Sequence, residues 1–278
     1  MDDPIIVPDT ADATPAASAA PLQKPARIHF IDEVRGIDIV LMVAFHAFYT
    51  VGWLYQVEWG RILFRFFSPV EPFFAGLFIL ICGISCHLSH SNVRRGLLLA
   101  GVSVVISAFL WFFMRSEMIW FGILHFLSVA ILLFALLKPL LSRIPPWCGI
   151  IACAVLMLVT WWVPSAHNAD GGSYFGIRGL LAVELPAWLT AQNWLYPLGF
   201  GNIPSADYFP LLPWLFCFLG GSFVGVWVEQ GKTPRWMYKS RMPVFSWLGR
   251  HTLIIYILHQ PVIYAVCFLV FKLLAVLS

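Results

Sequence analysis

Long, nearly unbroken apolar runs dominate the hydrophobic pattern of this chain, separated by short polar or proline-marked breaks. Seven runs approach the roughly 20 residues a helix needs to cross a bilayer. They cover 34–56, 69–89, 96–114, 118–137, 146–163, 208–229 and 251–276. Their apolar positions do not alternate strictly with polar ones, so they predict helices rather than the strands of a membrane barrel. Prolines open two of them, Pro69 and Pro72 the second and Pro145 and Pro146 the fifth. Pro261 predicts a kink in the seventh, because proline cannot supply the helical N–H. The predicted fold class is all-α, a polytopic membrane helix bundle of about seven transmembrane helices.

The remaining stretches read differently. Residues 1–26 are rich in Ala, Pro, Thr and Asp, with no apolar run and no positively charged start. That composition predicts a disordered cytosolic tail rather than a signal peptide. One membrane domain then spans 27–278. Its single long loop, 165–207, carries two apolar patches, GIRGLLAVELPAWL and NWLYPLGF. They are too short to span and predict interfacial or re-entrant pieces over the outer mouth of the bundle. Loops of this length are more often functional lids than passive connections.

Composition supports the membrane reading and removes alternatives. The chain is 60% hydrophobic and 11% charged, against roughly 45–50% and 25% in soluble domains. A net charge of +3 is too small to point to a nucleic-acid partner. The six cysteines lie in apolar segments and read as small buried hydrophobes rather than a disulfide framework. Loop charges give the orientation. With the N-terminus inside, the cytosolic set is Lys24, Arg27, Arg35, Arg94, Arg95, Lys138, Arg143, Lys232, Arg235, Lys239, Arg241 and Arg250. The outer set is only Arg61, Arg65, Arg115, Arg178 and Lys272. That excess predicts a cytosolic N-terminus and an outer C-terminus.

Against this apolar background the ionisable residues stand out. In 31–56, IDEVRGIDIVLMVAFHAFYTVGWLYQ, Arg35 lies near the cytosolic end and His46 eleven residues deeper, about 16 Å along a helix. An ionisable side chain at that depth points to a functional site facing the bundle interior. An imidazole exchanges a proton near neutral pH, so His46 is a candidate general base; a structural histidine bonded to a carbonyl is the plainer reading. His125 and His259 fall at comparable depth and could share a site with it. Arg35 could snorkel to lipid phosphate or clamp the phosphates of a nucleotide-like cofactor. Asp32, Glu33 and Asp38 could neutralise it, Asp38 by an ion pair one turn along. Arg94, Arg95 and Arg250 are further cationic candidates at the same face. Glu71 and Asp207 could line the outer mouth, or be solvated acids at helix starts. Cys86 and His90, four apart, are too few for a metal site, and no metal is expected. From these residues alone, an enzyme and a small transporter relaying protons through buried histidines both remain open.

The residues also carry a resemblance. RIHFIDEVRGIDIVLMVAFHAFY resembles the opening helix of the acyltransferase type 3 proteins, with an Arg–Gly pair and a histidine ten residues beyond the glycine. FFAGLFILICGISCHLS, IWFGILHFLSVAILL, SADYFPLLPWLFCFLGGSFVG and FSWLGRHTLIIYILHQPV resemble bacterial members of the sister family named for the heparan-alpha-glucosaminide N-acetyltransferase catalytic domain. The similarity covers about 27–275. It implies a multi-pass protein of a bacterial inner membrane that takes an acetyl group from cytosolic acetyl-CoA and delivers it to an extracytoplasmic glycan or glycolipid. Carried over, Arg35 is the motif arginine on the CoA side, His46 the catalytic base, and His259 the recurring histidine of the last helix. The implied partners are membrane lipid, acyl-CoA and a glycan acceptor, with a homodimer as a possible assembly.

Overall fold

The computed structural model describes residues 27–168 and 170–277; the tail expected over 1–26 lies outside them. In chain order the helices are α1 (His29–Tyr49), α2 (Glu58–Phe67), α3 (Glu71–Ser85), α4 (Asn92–Phe113), α5 (Ile123–Leu141) and α6 (Pro146–Thr160). A short hairpin of β1 (Tyr174–Ile177) and β2 (Leu181–Glu184) follows, then α7 (Ala187–Thr190), α8 (Leu211–Glu229), α9 (Pro243–Arg250) and α10 (Thr252–Leu277). A π-helical segment, Thr50–Leu54, extends α1. The chain is mostly helical, as the all-α expectation has it, and adds a short antiparallel two-stranded sheet that pairs Tyr174 with Glu184 and Ile177 with Leu181.

Among the described residues, five helices are long and apolar enough to cross a membrane: His29–Leu54, α4, α5, α8 and α10. The count becomes six when α2 and α3, bent by 56° at their junction, act as one broken span. The expected second span is therefore half of a broken element whose first arm, α2, sequence reading left in a loop. Pro69 and Pro72 account for the break, since neither can donate the backbone hydrogen bond that would carry the helix through. The expected fifth span is α6, only 15 residues long. α10 runs through Pro261 as one helix. The loop expected to hold interfacial pieces instead carries the hairpin, whose Leu180 and Leu181 stand exposed.

The core lies between α3, α5 and α8, where Ile79, Phe126, Ile131, Phe134 and Phe218 are almost fully buried. In lipid the hydrophobic effect does not drive helices together, so close backbone approach and van der Waals contact must. Small residues make that approach available. A β-carbon on Gly83 would lie 2.0 Å from the Phe218 carbonyl oxygen, and one on Gly221 would lie 2.1 Å from that of Leu80. The α3–α8 seam is thus backbone against backbone.

The same device seats α9 on the first turns of α1. A β-carbon on Gly36 would come within 1.9 Å of the Phe245 carbonyl oxygen, and one on Gly249 within 1.8 Å of that of Asp32. Glu33, almost fully buried, closes the joint. Its Oε1 accepts hydrogen bonds from the backbone N–H groups of Arg241 (2.6 Å) and Met242 (2.8 Å) and from the Ser240 hydroxyl (3.1 Å). A carboxylate at the start of a helix meets its unpaired N–H groups and its positive dipole end. The glycine of the Arg–Gly pair therefore has a structural reason: it lets α9 lie against α1.

Candidate active site

α1 and α10 pack side by side and place His46 opposite His259, with ring centroids 4.9 Å apart and planes at 59°. His259 donates its Nδ1–H to the Tyr256 carbonyl at 2.6 Å. A carbonyl can only accept, so that bond fixes the neutral tautomer and leaves Nε2 as an acceptor. Nε2 is buried and has no partner among the described residues. Among the described residues no hydrogen bond links the two rings or ties down His46. The pair thus offers an oriented lone pair beside a second, freer imidazole, the arrangement a proton-accepting site requires.

One turn beyond His46, the backbone widens into the π-helical segment beginning at Thr50. π-segments inserted in α-helices are frequent at functional sites. Here the segment lets Gly52 meet α2 at backbone distance, since a β-carbon on Gly52 would lie 2.6 Å from the Arg61 amide nitrogen. It also brings the Thr50 hydroxyl to 3.2 Å from Gln260 Nε2. Gln260 is missing from the sequence-derived candidates. The only signal for it was an amide in an otherwise apolar run directly after His259.

His125 is elsewhere. It lies in a groove between α4 and α5, where Nε2 is hydrogen-bonded to the Ser107 hydroxyl at 3.2 Å and the ring faces Phe121. A site shared by three histidines is therefore corrected to a pair, because α5 packs on α3, α4 and α8 rather than on α1.

Toward the other end of α1, Arg35 donates to the Ser85 hydroxyl at 2.6 Å, and Arg95 reaches the Ser85 carbonyl at 3.4 Å. Two guanidinium groups thus converge on the C-terminal end of α3. The expected Arg35–Asp38 ion pair is not formed. Arg35 sits 3.7 Å from Asp32, which also binds Arg27 at 2.6 Å. Asp38 is buried, with Oδ1 unpartnered among the described residues, and Glu33 is occupied by the α9 joint. Arg94 is exposed, with its backbone N–H capped by Ser91. Arg250 is exposed at the end of α9. Neither joins the Arg35–Arg95 convergence.

At the opposite end, Asp207 has a task that sequence did not reveal. Its Oδ2 accepts from the Ile123 N–H at 3.0 Å, capping α5 rather than the helix that follows it in the chain. Burial pushes its pKa up to about 6, opposed by the N–H groups of Ile123 and Tyr208. Glu71, in the first turn of α3, lies within electrostatic reach of it.

The family model for the heparan-alpha-glucosaminide N-acetyltransferase catalytic domain matches residues 27–261. The chain belongs to this family. Together with the apolar helices, that makes it a multi-pass membrane acetyltransferase. The match starts at the first described residue and reaches Pro261, so it includes Arg35, Gly36, His46, Asp207, His259 and Gln260. No curated protein and no solved structure matches the chain significantly.

Proposed function

We propose that this heparan-alpha-glucosaminide N-acetyltransferase family member moves an acetyl group from cytosolic acetyl-CoA to an amine or hydroxyl of an extracytoplasmic glycan or glycolipid. The observation that carries the reading is the His46–His259 pair at 4.9 Å, about three turns from the arginine end of the same helix. Arg35 and Arg95 would hold the CoA phosphates, the guanidinium fork matching phosphate oxygens. The pantetheine arm would then run the roughly 16 Å up α1 that separates Arg35 from His46. There the acceptor gives its proton to His46 as it attacks the thioester carbon. The C–N or C–O bond forms, the C–S bond breaks, and the CoA thiolate leaves and is reprotonated. His259, with its tautomer fixed by Tyr256, receives a hydrogen bond at Nε2 and steadies the proton acceptor. Asp38 and Glu71 are polar groups that an acceptor could meet on its way in. Asp207 contributes by holding the start of α5.

We assign the N-terminus to the cytosol and the C-terminus to the outside by the loop charges, which requires the short α6 to cross beside the five long helices and the α2–α3 pair, and we take the membrane to be a bacterial inner membrane. The test is transfer from labelled acetyl-CoA to membrane glycan by the purified protein in lipid. His46→Ala is expected to lower transfer by about 10²–10⁴-fold, the usual contribution of a general base, with acetyl-CoA binding retained. Unchanged transfer removes His46 from the chemistry. Substrate movement without CoA would favour a carrier instead.

A further inference from the structure

Two consecutive residues of α10 carry buried acceptor atoms with no partner among the described residues, His259 Nε2 and Gln260 Oε1. Buried polar atoms are almost always paired, and one left bare costs about 1–3 kcal/mol. Two adjacent ones at the same helix–helix seam mark a place where something else supplies the donors. Their surroundings say what kind. Gln260 spends its Nε2 on the Thr50 hydroxyl, so the amide is held in place with the oxygen left over. Thr50 lies four residues beyond His46 on α1, about 6 Å along the helix. The amide is therefore one turn farther from the arginine end than the imidazole pair, on the side from which an extracytoplasmic acceptor arrives. The thioester itself carries no donor, and the amide N–H of the pantetheine arm lies on its arginine side, so the donor missing at Gln260, one turn farther out, belongs to the acceptor.

We infer that Gln260 orients the acceptor, its Oε1 taking a hydrogen bond from a group adjacent to the nucleophile, so that good acceptors are 1,2-diols or 1,2-amino alcohols. The nucleophilic N–H or O–H faces the imidazole pair while its vicinal O–H or N–H satisfies Gln260. Sugar rings present such pairs; isolated amines and alcohols do not. This rests on the acetyl-transfer reading above and adds the acceptor geometry to it.

Small ring compounds test it without knowledge of the natural acceptor. With acetyl-CoA and protein in lipid nanodiscs, acetylated product is measured for 2-aminocyclohexanol against 2-methoxycyclohexylamine. The diol partner pair is 1,2-cyclohexanediol against 2-methoxycyclohexanol. Methylation removes the neighbouring donor and leaves the nucleophile. The free-donor compound of each pair is expected to react about 3- to 10-fold faster, the worth of one neutral hydrogen bond. Gln260→Met, which keeps length and removes Oε1, is expected to bring both ratios close to one. Ratios near one in the unaltered protein, or ratios unchanged in Gln260→Met, overturn the inference. No product from any of the four compounds also overturns it, and if acetyl-CoA still binds, the acetyl-transfer reading stands. Loss of both binding and transfer in the unaltered protein overturns that reading instead.

Discussion

Replacing Gly36 by alanine is the perturbation whose consequence the structure fixes most tightly. The new β-carbon would lie 1.9 Å from the Phe245 carbonyl oxygen and 2.6 Å from its carbonyl carbon. A carbon–oxygen contact settles no closer than about 3.3 Å, so α1 and α9 must separate by roughly 1.4 Å. No side chain can rotate away to absorb this, since the obstructing atoms are backbone. The displacement also acts on Glu33, whose bonds to Ser240, Arg241 and Met242 are 3.1, 2.6 and 2.8 Å long. Lengthened by that amount they fall outside hydrogen-bond range, and a buried carboxylate loses its donors. Overpacking costs about 1–3 kcal/mol, and a charged hydrogen bond contributes about 1.5–3 kcal/mol. The better helix propensity of alanine returns about 1 kcal/mol. The net loss is expected to be about 1.5–5 kcal/mol, seen as a melting point several degrees lower by size-exclusion chromatography after heating in detergent. Gly101→Ala in α4 is the control, because its β-carbon meets nothing within 4 Å; it is expected to match or exceed the unaltered protein. Equal melting of the two variants would refute the close α1–α9 seam.

Other expectations follow from the same geometry. Arg35→Ala and Arg95→Ala should each weaken acetyl-CoA binding by about 10-fold or more, the worth of one charged hydrogen bond, whereas Arg94→Ala and Arg250→Ala should leave it nearly unchanged in a calorimetric titration. Equal effects at all four positions would remove the Ser85 convergence as the phosphate site. Asp207→Ala should cost about 1 kcal/mol by uncapping α5, while Asp207→Asn keeps a carbonyl acceptor for the Ile123 N–H. Burial raises this carboxyl above its unfolded value, so its contribution to stability is full below about pH 4 and is lost as pH rises through about 6. Stability of the unaltered protein should therefore fall across that window more steeply than that of Asp207→Asn; parallel profiles would contradict the partly buried, raised carboxyl. A phosphatase fused after Ser278 should be active outside the cytosol, and activity confined to the cytosol would reverse the orientation.

Much of the fold was legible because the solvent is lipid. A helix in hydrocarbon must satisfy its backbone internally and present apolar side chains, so composition alone announces α4, α5, α8 and α10. Where polar and proline residues break the run, as at Pro69 and Pro72, sequence marked the break but not that α2 would become the other arm of a bent element. The hairpin at 174–184 was not legible because its exposed apolar residues fit interfacial or re-entrant pieces equally well.

The sequence by itself determined that this is a multi-pass membrane acetyltransferase of its family, and that one helix carries an arginine and a histidine about 16 Å apart. Those facts depend on hydropathy, local order and motif, all of which act along the chain. Only the tertiary structure decided which residues meet. It set His259 and not His125 against His46, gave Arg35 to Asp32 and Ser85 rather than to Asp38, turned Asp207 into a cap for α5, and exposed Gln260 as an unpaired acceptor. Each of those outcomes depends on which helix faces which, and glycine-to-carbonyl contacts such as Gly36–Phe245 and Gly83–Phe218 set that pairing. Residues far apart in the chain cannot reveal such contacts until the backbones touch.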